Sequence, residues 1–324
     1  MRLAEGTPGA RILAFGGYQP DRVVTNDDLA KVVDTTDEWI RSRVGIESRR
    51  IAADDETVTD IAEAAGAKAL AASGLAPSAI DLVIVATCSS LVPMPSVSAQ
   101  VAHRLGIVAP GAYDLNAACA GFCYALASAS DAVRTGTAGN VLVIGAEKLS
   151  QWVDWTDRST CIIFADGAGA AVVGPVPAGE ADAGPGIGPV VWGSAGDMAD
   201  KIYIPDRDGF IIQEGQAVFR WATTALHPVA KQACERAGVD PAELAAFVPH
   251  QANLRIIEAI ARRIGAPQAL VADDIVTAGN TSSASIPLAI ARMLERGELA
   301  SGAPVLLLGF GAGICYAGQV ITVP

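Results

Sequence analysis

Three short runs of this 324-residue chain carry side chains able to do covalent or polar chemistry. The first is Asn116-Ala117-Ala118-Cys119-Ala120-Gly121-Phe122, where a thiol stands among small residues at an expected strand-to-helix turn. Sulfur at a helix N-terminus sees the positive end of the dipole, which favours thiolate, and small neighbours let a carbonyl come close. The second run, His250-Gln251-Ala252-Asn253, follows the apolar stretch Ala245-Ala246-Phe247-Val248-Pro249, so the imidazole is expected at a strand end. The third, Gly279-Asn280-Thr281-Ser282-Ser283, puts an amide in a turn. Each has a plainer reading. Most free cysteines are small buried hydrophobes, a lone histidine is more often a satisfied core residue, and Asn commonly serves turn geometry. Together they suit covalent acyl transfer, with Cys119 as nucleophile and neutral His250 and Asn280 donating to a thioester enolate, no general base being required.

The other reactive side chains read as structural. Cys88 stands at a strand end without a helix start behind it, and Cys123, Cys161, Cys234 and Cys315 read as packing thiols. His103 lies in an expected helix and His227 precedes Pro228. Gly309-Phe310-Gly311-Ala312-Gly313 resembles a dinucleotide loop, but the strand-like run from Ile314 to Val323 follows it where that fingerprint needs a helix. Gly167-Ala168-Gly169 has the same defect. Both read as tight turns between strands, one of which could bring a backbone N–H to an oxyanion. No His/Cys/carboxylate cluster has metal-ligand spacing, so no metal is expected.

What must position these residues is a repeated unit. Gly74-Leu75-Ala76-Pro77 is answered by Gly238-Val239-Asp240-Pro241, each followed by an apolar strand. Two helices ending at Gly106 and Gly265 come next, then Asp114–Cys119 opposite Asp274–Gly279, then Val141–Gly145 opposite Val305–Gly309. Five matched elements in one order indicate a duplication. Apolar β-branched strands alternating with helices indicate an α/β fold of parallel sheets covered on both faces, with ligands beyond the strands' carboxyl ends. The duplication then sets Cys119 and Asn280 at equivalent strand ends, facing each other. The Gly/Ala/Pro-rich segment from Ala178 to Pro189 separates the halves, 1–178 and 179–324, and the acidic stretch from Ser194 to Gln213, including Asp206, Arg207 and Asp208, reads as an exposed loop.

Composition narrows the function classes. Hydrophobic residues make up 51% and charged residues 18%, which excludes disorder, while no apolar run reaches the ~18–20 residues that span a bilayer. The opening residues lack a charged leader and apolar core, so no secretion signal is expected, and the six cysteines read as reduced cytoplasmic thiols. A net charge of −12 argues against nucleic acid as main partner. It leaves room for a local basic face: Arg255, Arg262 and Arg263 fall at i, i+7 and i+8 of one expected helix, where the plain reading is a solvated surface.

With these runs in view the chain resembles the 3-oxoacyl-[acyl-carrier-protein] synthase III family, the initiating condensing enzymes of bacterial fatty acid synthesis. The resemblance rests on Asp37-Glu38-Trp39-Ile40 through Arg43-Val44-Gly45-Ile46, the Cys119 block, Phe164-Ala165-Asp166-Gly167-Ala168-Gly169-Ala170, Pro249-His250-Gln251-Ala252-Asn253-Leu254-Arg255-Ile256 and Gly279-Asn280-Thr281-Ser282-Ser283-Ala284-Ser285-Ile286-Pro287. It implies a thiolase-like, duplicated five-layered α-β-α-β-α fold, a homodimer, acyl-CoA and malonyl-carrier protein as substrates, and no metal or redox cofactor. It assigns Cys119 as the acylated nucleophile, His250 and Asn280 as enolate donors, and the N–H groups of Cys119 and Ala312 as the oxyanion hole. The family usually has Gly at position 312, and Ala keeps the donor. Trp39 and Arg158 match the residues that sandwich the CoA adenine, Arg43 and Asn253 match positions along the CoA and pantetheine channel, and Arg220 joins Arg255, Arg262 and Arg263 in a carrier-protein face. Two features depart from the pattern. Met94 stands where an aromatic often closes the acyl pocket from the partner subunit, so a longer or branched starter could enter. The segment Gly193–Gly215 is also shorter than in many relatives. Priming of a polyketide pathway uses the same chemistry. Esterification without decarboxylation would not need Asn280, and a non-catalytic partner subunit would normally have lost the nucleophile.

Overall fold

The computed structural model describes residues 5–177, 179, 186–206 and 208–324. Strand β1 (Ala10–Tyr18) opens the first sheet, and a short ladder of β2 (Val23–Thr25) and β3 (Ser48–Arg50) brackets helices α1 (Asn26–Leu29) and α2 (Asp37–Val44). Then follow α3 (Val58–Ser73), β4 (Leu82–Ala86), α4 (Val97–Arg104), β5 (Gly111–Leu115), α5 (Gly121–Arg134), β6 (Val141–Lys148) and β7 (Asp166–Pro175). The second half runs through β8 (Val191–Gly193), β9 (Ile202–Tyr203), β10 (Ile212–Gln213), α6 (Gly215–Ala237), β11 (Ala246–Pro249), α7 (Leu254–Ile264), β12 (Leu270–Val271), α8 (Ile275–Ala278), α9 (Ser285–Glu295), β13 (Pro304–Phe310) and β14 (Tyr316–Thr322).

The two halves have one topology. The first sheet is ordered β1-β7-β6-β4-β5 and the second, read from its other edge, β8-β14-β13-β11-β12. In each, two antiparallel pairings precede two parallel ones. The sheets are therefore mixed, not wholly parallel. Two return strands of each half, β1 and β7 or β8 and β14, add antiparallel pairs that the alternation of strands and helices does not reveal. Helices α3 and α6 both end on a left-handed glycine, Gly74 (φ 70°) and Gly238 (φ 69°), where a side chain would be strained.

Side-chain alternation along the strands builds the layers. In β6, Val141 and Val143 face a central core with Phe122, Leu126, Ile286 and Ile290, while Leu142 and Ile144 face α3 and α4. In β13, Val305 and Leu307 join the same central core, and Leu306 and Leu308 meet α6 and α7. The order of layers is thus α3/α4, sheet, α5/α9, sheet, α6/α7. This is the five-layered α-β-α-β-α arrangement, and it explains why the strands read as continuous apolar runs. A fourth cluster, including Ile40, Val44, Ile162, Phe164 and Ile257, caps one end and carries α2.

Two expectations change here. Gly167 and Gly169 lie inside β7, not in a turn. A Cβ on Gly169 would stand 2.4 Å from the Leu288 amide nitrogen, so α9 rests on it, while a Cβ on Gly167 would stand 3.0 Å from Gln19 Cγ and 3.2 Å from the Tyr18 carbonyl oxygen. The stretch from Ser194 to Gln213 is not wholly loop: a 3-10 segment (Gly196–Lys201) leads into the β9–β10 ladder. The boundary at 178/179 falls where residues 178 and 180–185 lie outside the described residues, as does Arg207. Among the described residues no helix is long and apolar enough to cross a membrane.

Gly145 of β6 makes the tightest link between core and site. A Cβ there would lie 2.4 Å from the Ser283 carbonyl oxygen, in the turn that follows Asn280. Gly145→Ala is expected to lower stability by about 1–3 kcal/mol in urea unfolding, because backbone and not a flexible side chain must yield. An unchanged midpoint would contradict that close seat.

Candidate active site

Cys119 stands in the 3-10 turn Ala118–Ala120 between β5 and α5. The turn is tight: Ala118 has φ 46°, in the left-handed region, and its N–H donates to Asn116 Oδ1 at 3.1 Å. Opposite lies the β13–β14 connection. A Cβ on Gly311 would meet Cys119 N at 2.7 Å and Sγ at 3.0 Å, so only glycine lets that backbone approach the nucleophile. The N–H groups of Cys119 and Ala312 and the Ser282 hydroxyl lie near enough to the sulfur to favour its thiolate. Burial outweighs them and pushes the thiol up to about 12. The resting nucleophile is a thiol, not the thiolate that a helix N-terminus alone suggests.

His250 follows β11, with its N–H on the Leu308 carbonyl (2.8 Å) and its ring edge against Phe310. It is buried, and desolvation pulls its pKa to about 3, so the ring is neutral. Its Nδ1 lies 2.7 Å from the Ser285 hydroxyl, whose oxygen already accepts the Gln251 N–H at 3.3 Å. We therefore assign the hydroxyl hydrogen to Nδ1 and the ring proton to Nε2. This leaves an N–H, not a lone pair, for a substrate.

Asn280 is held by a backbone bridge to Phe164: its N–H donates to the Ile163 carbonyl and its own carbonyl accepts from Ala165, each at 2.9 Å. Its Oδ1 accepts the Ser282 N–H at 2.8 Å, which leaves the NH2 end free as donor. Gly279 before it has φ 72° and ψ −175°, and a Cβ would stand 2.9 Å from Arg49 Cβ, so no other residue fits. Fully buried Arg49 props this bridge by donating to the Ile162 carbonyl (2.8 Å) and to Asn26 Oδ1 (2.9 Å).

Cys119, His250, Asn280, Phe310 and Gly311 line one cavity of about 670 Å³, and Trp39, Arg43, Asn253, Arg220 and Arg255 also line it. Six of the residues singled out from the sequence for chemistry or CoA, together with Arg220 and Arg255, thus line one cavity. The remaining positions differ. The Arg158 guanidinium lies 4.7 Å over the Trp39 ring and donates to the Asp34 carbonyl at 2.8 Å, so a purine entering between them must part the pair. Asn253 also has structural work, capping α7 through the Arg255 N–H (2.9 Å) and donating to the Arg43 carbonyl (3.1 Å). Of the four basic residues, Arg263 donates to the Thr223 carbonyl (2.8 Å) and Arg262 stands 3.7 Å from Glu258. Arg255 lies over Phe219. Met94 is 78% exposed and does not line this chain's cavity.

Sequence reasoning missed Glu147, Ser282 and Ser285, which surround the three reacting side chains. One signal existed: the match of Gly145 with Gly309 puts Glu147 opposite Gly311, a carboxylate in one copy where the other has glycine.

Comparison with known proteins covers the whole chain. Residues 113–196 match the family model for 3-oxoacyl-[acyl-carrier-protein (ACP)] synthase III, and residues 234–323 match its C-terminal model. The chain is 57% identical to beta-ketoacyl-[acyl-carrier-protein] synthase III 4 of Streptomyces coelicolor over 98% of this chain and 99% of that protein. It is 48% identical to the mycobacterial beta-ketoacyl-[acyl-carrier-protein] synthase III of Mycobacterium avium, over 100% and 98%. Among solved structures, the priming beta-ketosynthase of the R1128 polyketide biosynthetic pathway superposes with a TM-score of 0.95 at 43% identity, covering 100% of this chain and 98% of the other. The synthase III of Aquifex aeolicus gives 0.91 at 39% identity, covering 97% and 100%. The donors aimed at one thiol thus sit in a chain that belongs, over its whole length, to the 3-oxoacyl-[acyl-carrier-protein] synthase III family.

Proposed function

We propose that this chain condenses an acyl-CoA starter with malonyl-carrier protein, with loss of carbon dioxide, to give the 3-oxoacyl-carrier protein that begins a fatty acid. The observation that carries the reading is the meeting of one thiol with two neutral donors, His250 Nε2–H and the Asn280 amide, in a single cavity. In the first half-reaction the Cys119 thiol gives up its proton as its sulfur attacks the thioester carbonyl, and the oxyanion rests on the N–H groups of Cys119 and Ala312. The bond to CoA sulfur breaks, and CoA leaves as a thiolate that takes up a proton. In the second, the malonyl carboxylate leaves as carbon dioxide and its bonding electrons form an enolate, held by His250 and Asn280. The enolate carbon then attacks the acyl group, and the bond to Cys119 sulfur breaks. Protein donors, the two substrates and one proton from solvent account for every bond change, and none is a redox step, so we propose no metal or redox cofactor.

The same reading assigns partners. The CoA adenine would lie between Trp39 and Arg158, with Arg43 and Asn253 along the channel, and a planar guanidinium on an indole suits stacking on a purine. Arg220, Arg255, Arg262 and Arg263 form the face for an acidic carrier protein, despite the net charge of −12. We propose a homodimer in the cytoplasm, formed along β5. Among the described residues this edge strand pairs only with β4 and exposes Tyr113, and the segment after β4 exposes the apolar Leu91, Val92 and Met94. Met94 would then reach the partner's acyl pocket. The likeness to the priming ketosynthase favours a second reading, the same reaction with another starter for a polyketide pathway.

Two measurements test this. Mass spectrometry after incubation with a panel of acyl-CoAs is expected to show acyl mass on Cys119 and none on Cys119→Ala. His250→Ala and Asn280→Ala should each lose condensed product by on the order of 10²–10³-fold. Acylation without condensation in the native chain overturns the synthase, and the preferred starter separates the two pathways. The second measurement is of pH. Since burial holds His250 neutral down to about pH 3, the decarboxylation rate on pre-acylated enzyme should show no limb near 6.5. A fall centred there would mean that the folded ring takes up a proton.

A further inference from the structure

One buried carboxylate beside the nucleophile has no cation. Glu147, near the end of β6, is fully buried. Its oxygens accept from the hydroxyls of Ser89 (2.5 Å), Ser283 (2.9 Å), Ser282 (3.1 Å) and Thr87 (3.2 Å), and from the Cys88 N–H (3.1 Å) and thiol (3.4 Å). Among the described residues it makes no ion pair. Adjacent Lys148 sends its ammonium to the carbonyls of Ala53, Asp54 and Glu56, and across the ladder β7 offers only Gly167. The titratable groups that face it are two thiols, Cys88 after β4 and Cys119 before α5, while the turn before α9 offers hydroxyls. Burial raises its pKa above the ordinary carboxylate value while these donors oppose the shift.

One donor joins it to the nucleophile. The Ser282 hydroxyl, which donates to Glu147 Oε1 at 3.1 Å, also stands close enough to the Cys119 sulfur to influence its titration. Ser282 is 1% exposed and is held at φ 51°, a conformation that costs on the order of 1–3 kcal/mol for a residue other than glycine. A direct path therefore runs from the Cys119 thiol through Ser282 to Glu147. In the tautomer assigned above His250 offers no alternative, because Ser285 occupies Nδ1 and the ring proton is on Nε2.

We propose that Glu147 is the proton store of Cys119, taking the thiol proton through Ser282 when the cysteine is acylated and returning it when condensation frees the sulfur. As the bond from sulfur to the acyl carbon forms, the thiol proton passes to the Ser282 oxygen and the Ser282 proton passes to Glu147. CoA leaves as thiolate and takes a proton from solvent. When the carbon–carbon bond expels Cys119 thiolate, Ser282 gives it a proton and regains one from Glu147. One solvent proton is consumed per turnover, matching the carboxylate lost as carbon dioxide. Glu147 never touches substrate, so it is a positioning residue.

The proposal rests on acylation of Cys119, and its test reads the two separately. Alkylation of Cys119 by iodoacetamide, followed across pH by peptide mass spectrometry, is compared with acylation by acyl-CoA in the native chain, Glu147→Gln, Ser282→Ala and Glu147→Asp. The native alkylation rate should level off once Glu147 is ionised. In Glu147→Gln and Ser282→Ala, folded by thermal unfolding, both rates should fall on the order of 10²-fold at neutral pH and keep climbing into the alkaline range. Glu147→Asp should retain the native shape. A folded Glu147→Gln or Ser282→Ala that follows the native pH profile overturns the proposal. If Glu147→Gln does not fold, Ser282→Ala decides, since it leaves the other bonds to Glu147 in place. Expected alkylation profiles without any acylation by acyl-CoA would remove the synthase reading and leave the proton link standing.

Discussion

Helices α5 and α9 have no solvent side to spare. Each lies between the two sheets, so its residues must be small or apolar almost all round, and Ser285 to Ala291 are buried without a break. Everything else in the site follows from that burial. The 3-10 turns that open these helices end at the same level of the molecule, and they carry Cys119 and the residues after Asn280. Glycines under them, Gly145 and Gly169 from the first sheet and Gly311 from the second half, set how closely the layers approach. A site assembled from helix starts inside a packed layer has little freedom to relax, and its donors stay where the fold puts them.

Much of this was legible in the chain, for a definable reason. Duplicated elements in one order reveal the two halves, and the pairing of Cys119 with Asn280 follows from their equivalent places. The sheets' antiparallel members were not legible, because β1 and β7 are as apolar as the parallel strands, and burial on both faces erases the difference in pattern. Gly167 and Gly169 misled for a related reason. A glycine needed for close packing and one needed for a turn look alike until the neighbouring elements are in place.

The polar support of the site was the least legible part. Ser282, Ser283 and Ser285 stand in a run of small residues whose composition says only that a helix starts there. Which hydroxyl meets the histidine and which the glutamate depends on a left-handed residue, Ser282, that no local propensity requires. Strained non-glycine residues stand beside each piece of the machinery: Ala118 before the nucleophile, Ser282 after the amide, and Ile314 after the oxyanion donor. Such conformations persist only where surrounding packing over-determines them, and here the central layer does so.

The same packing explains why the site rests uncharged where it meets substrate. A buried thiolate or imidazolium would have to be solvated by something, and among the described residues no ion pair reaches Cys119 or His250. Burial accordingly pushes Cys119 up to about 12 and His250 down to about 3, both toward neutrality. The charges of the reaction, a tetrahedral oxyanion and then an enolate, exist only in passing. Fixed N–H dipoles can meet them without reorganising, whereas a permanent cation would also bind the ground-state malonyl carboxylate and hold back its loss. A neutral imidazole and an amide are therefore better suited to decarboxylation than a charged pair. The acid–base work that a neutral histidine cannot do must lie one shell further out, where a carboxylate bonded by hydroxyls and thiol can change its charge without meeting the substrate.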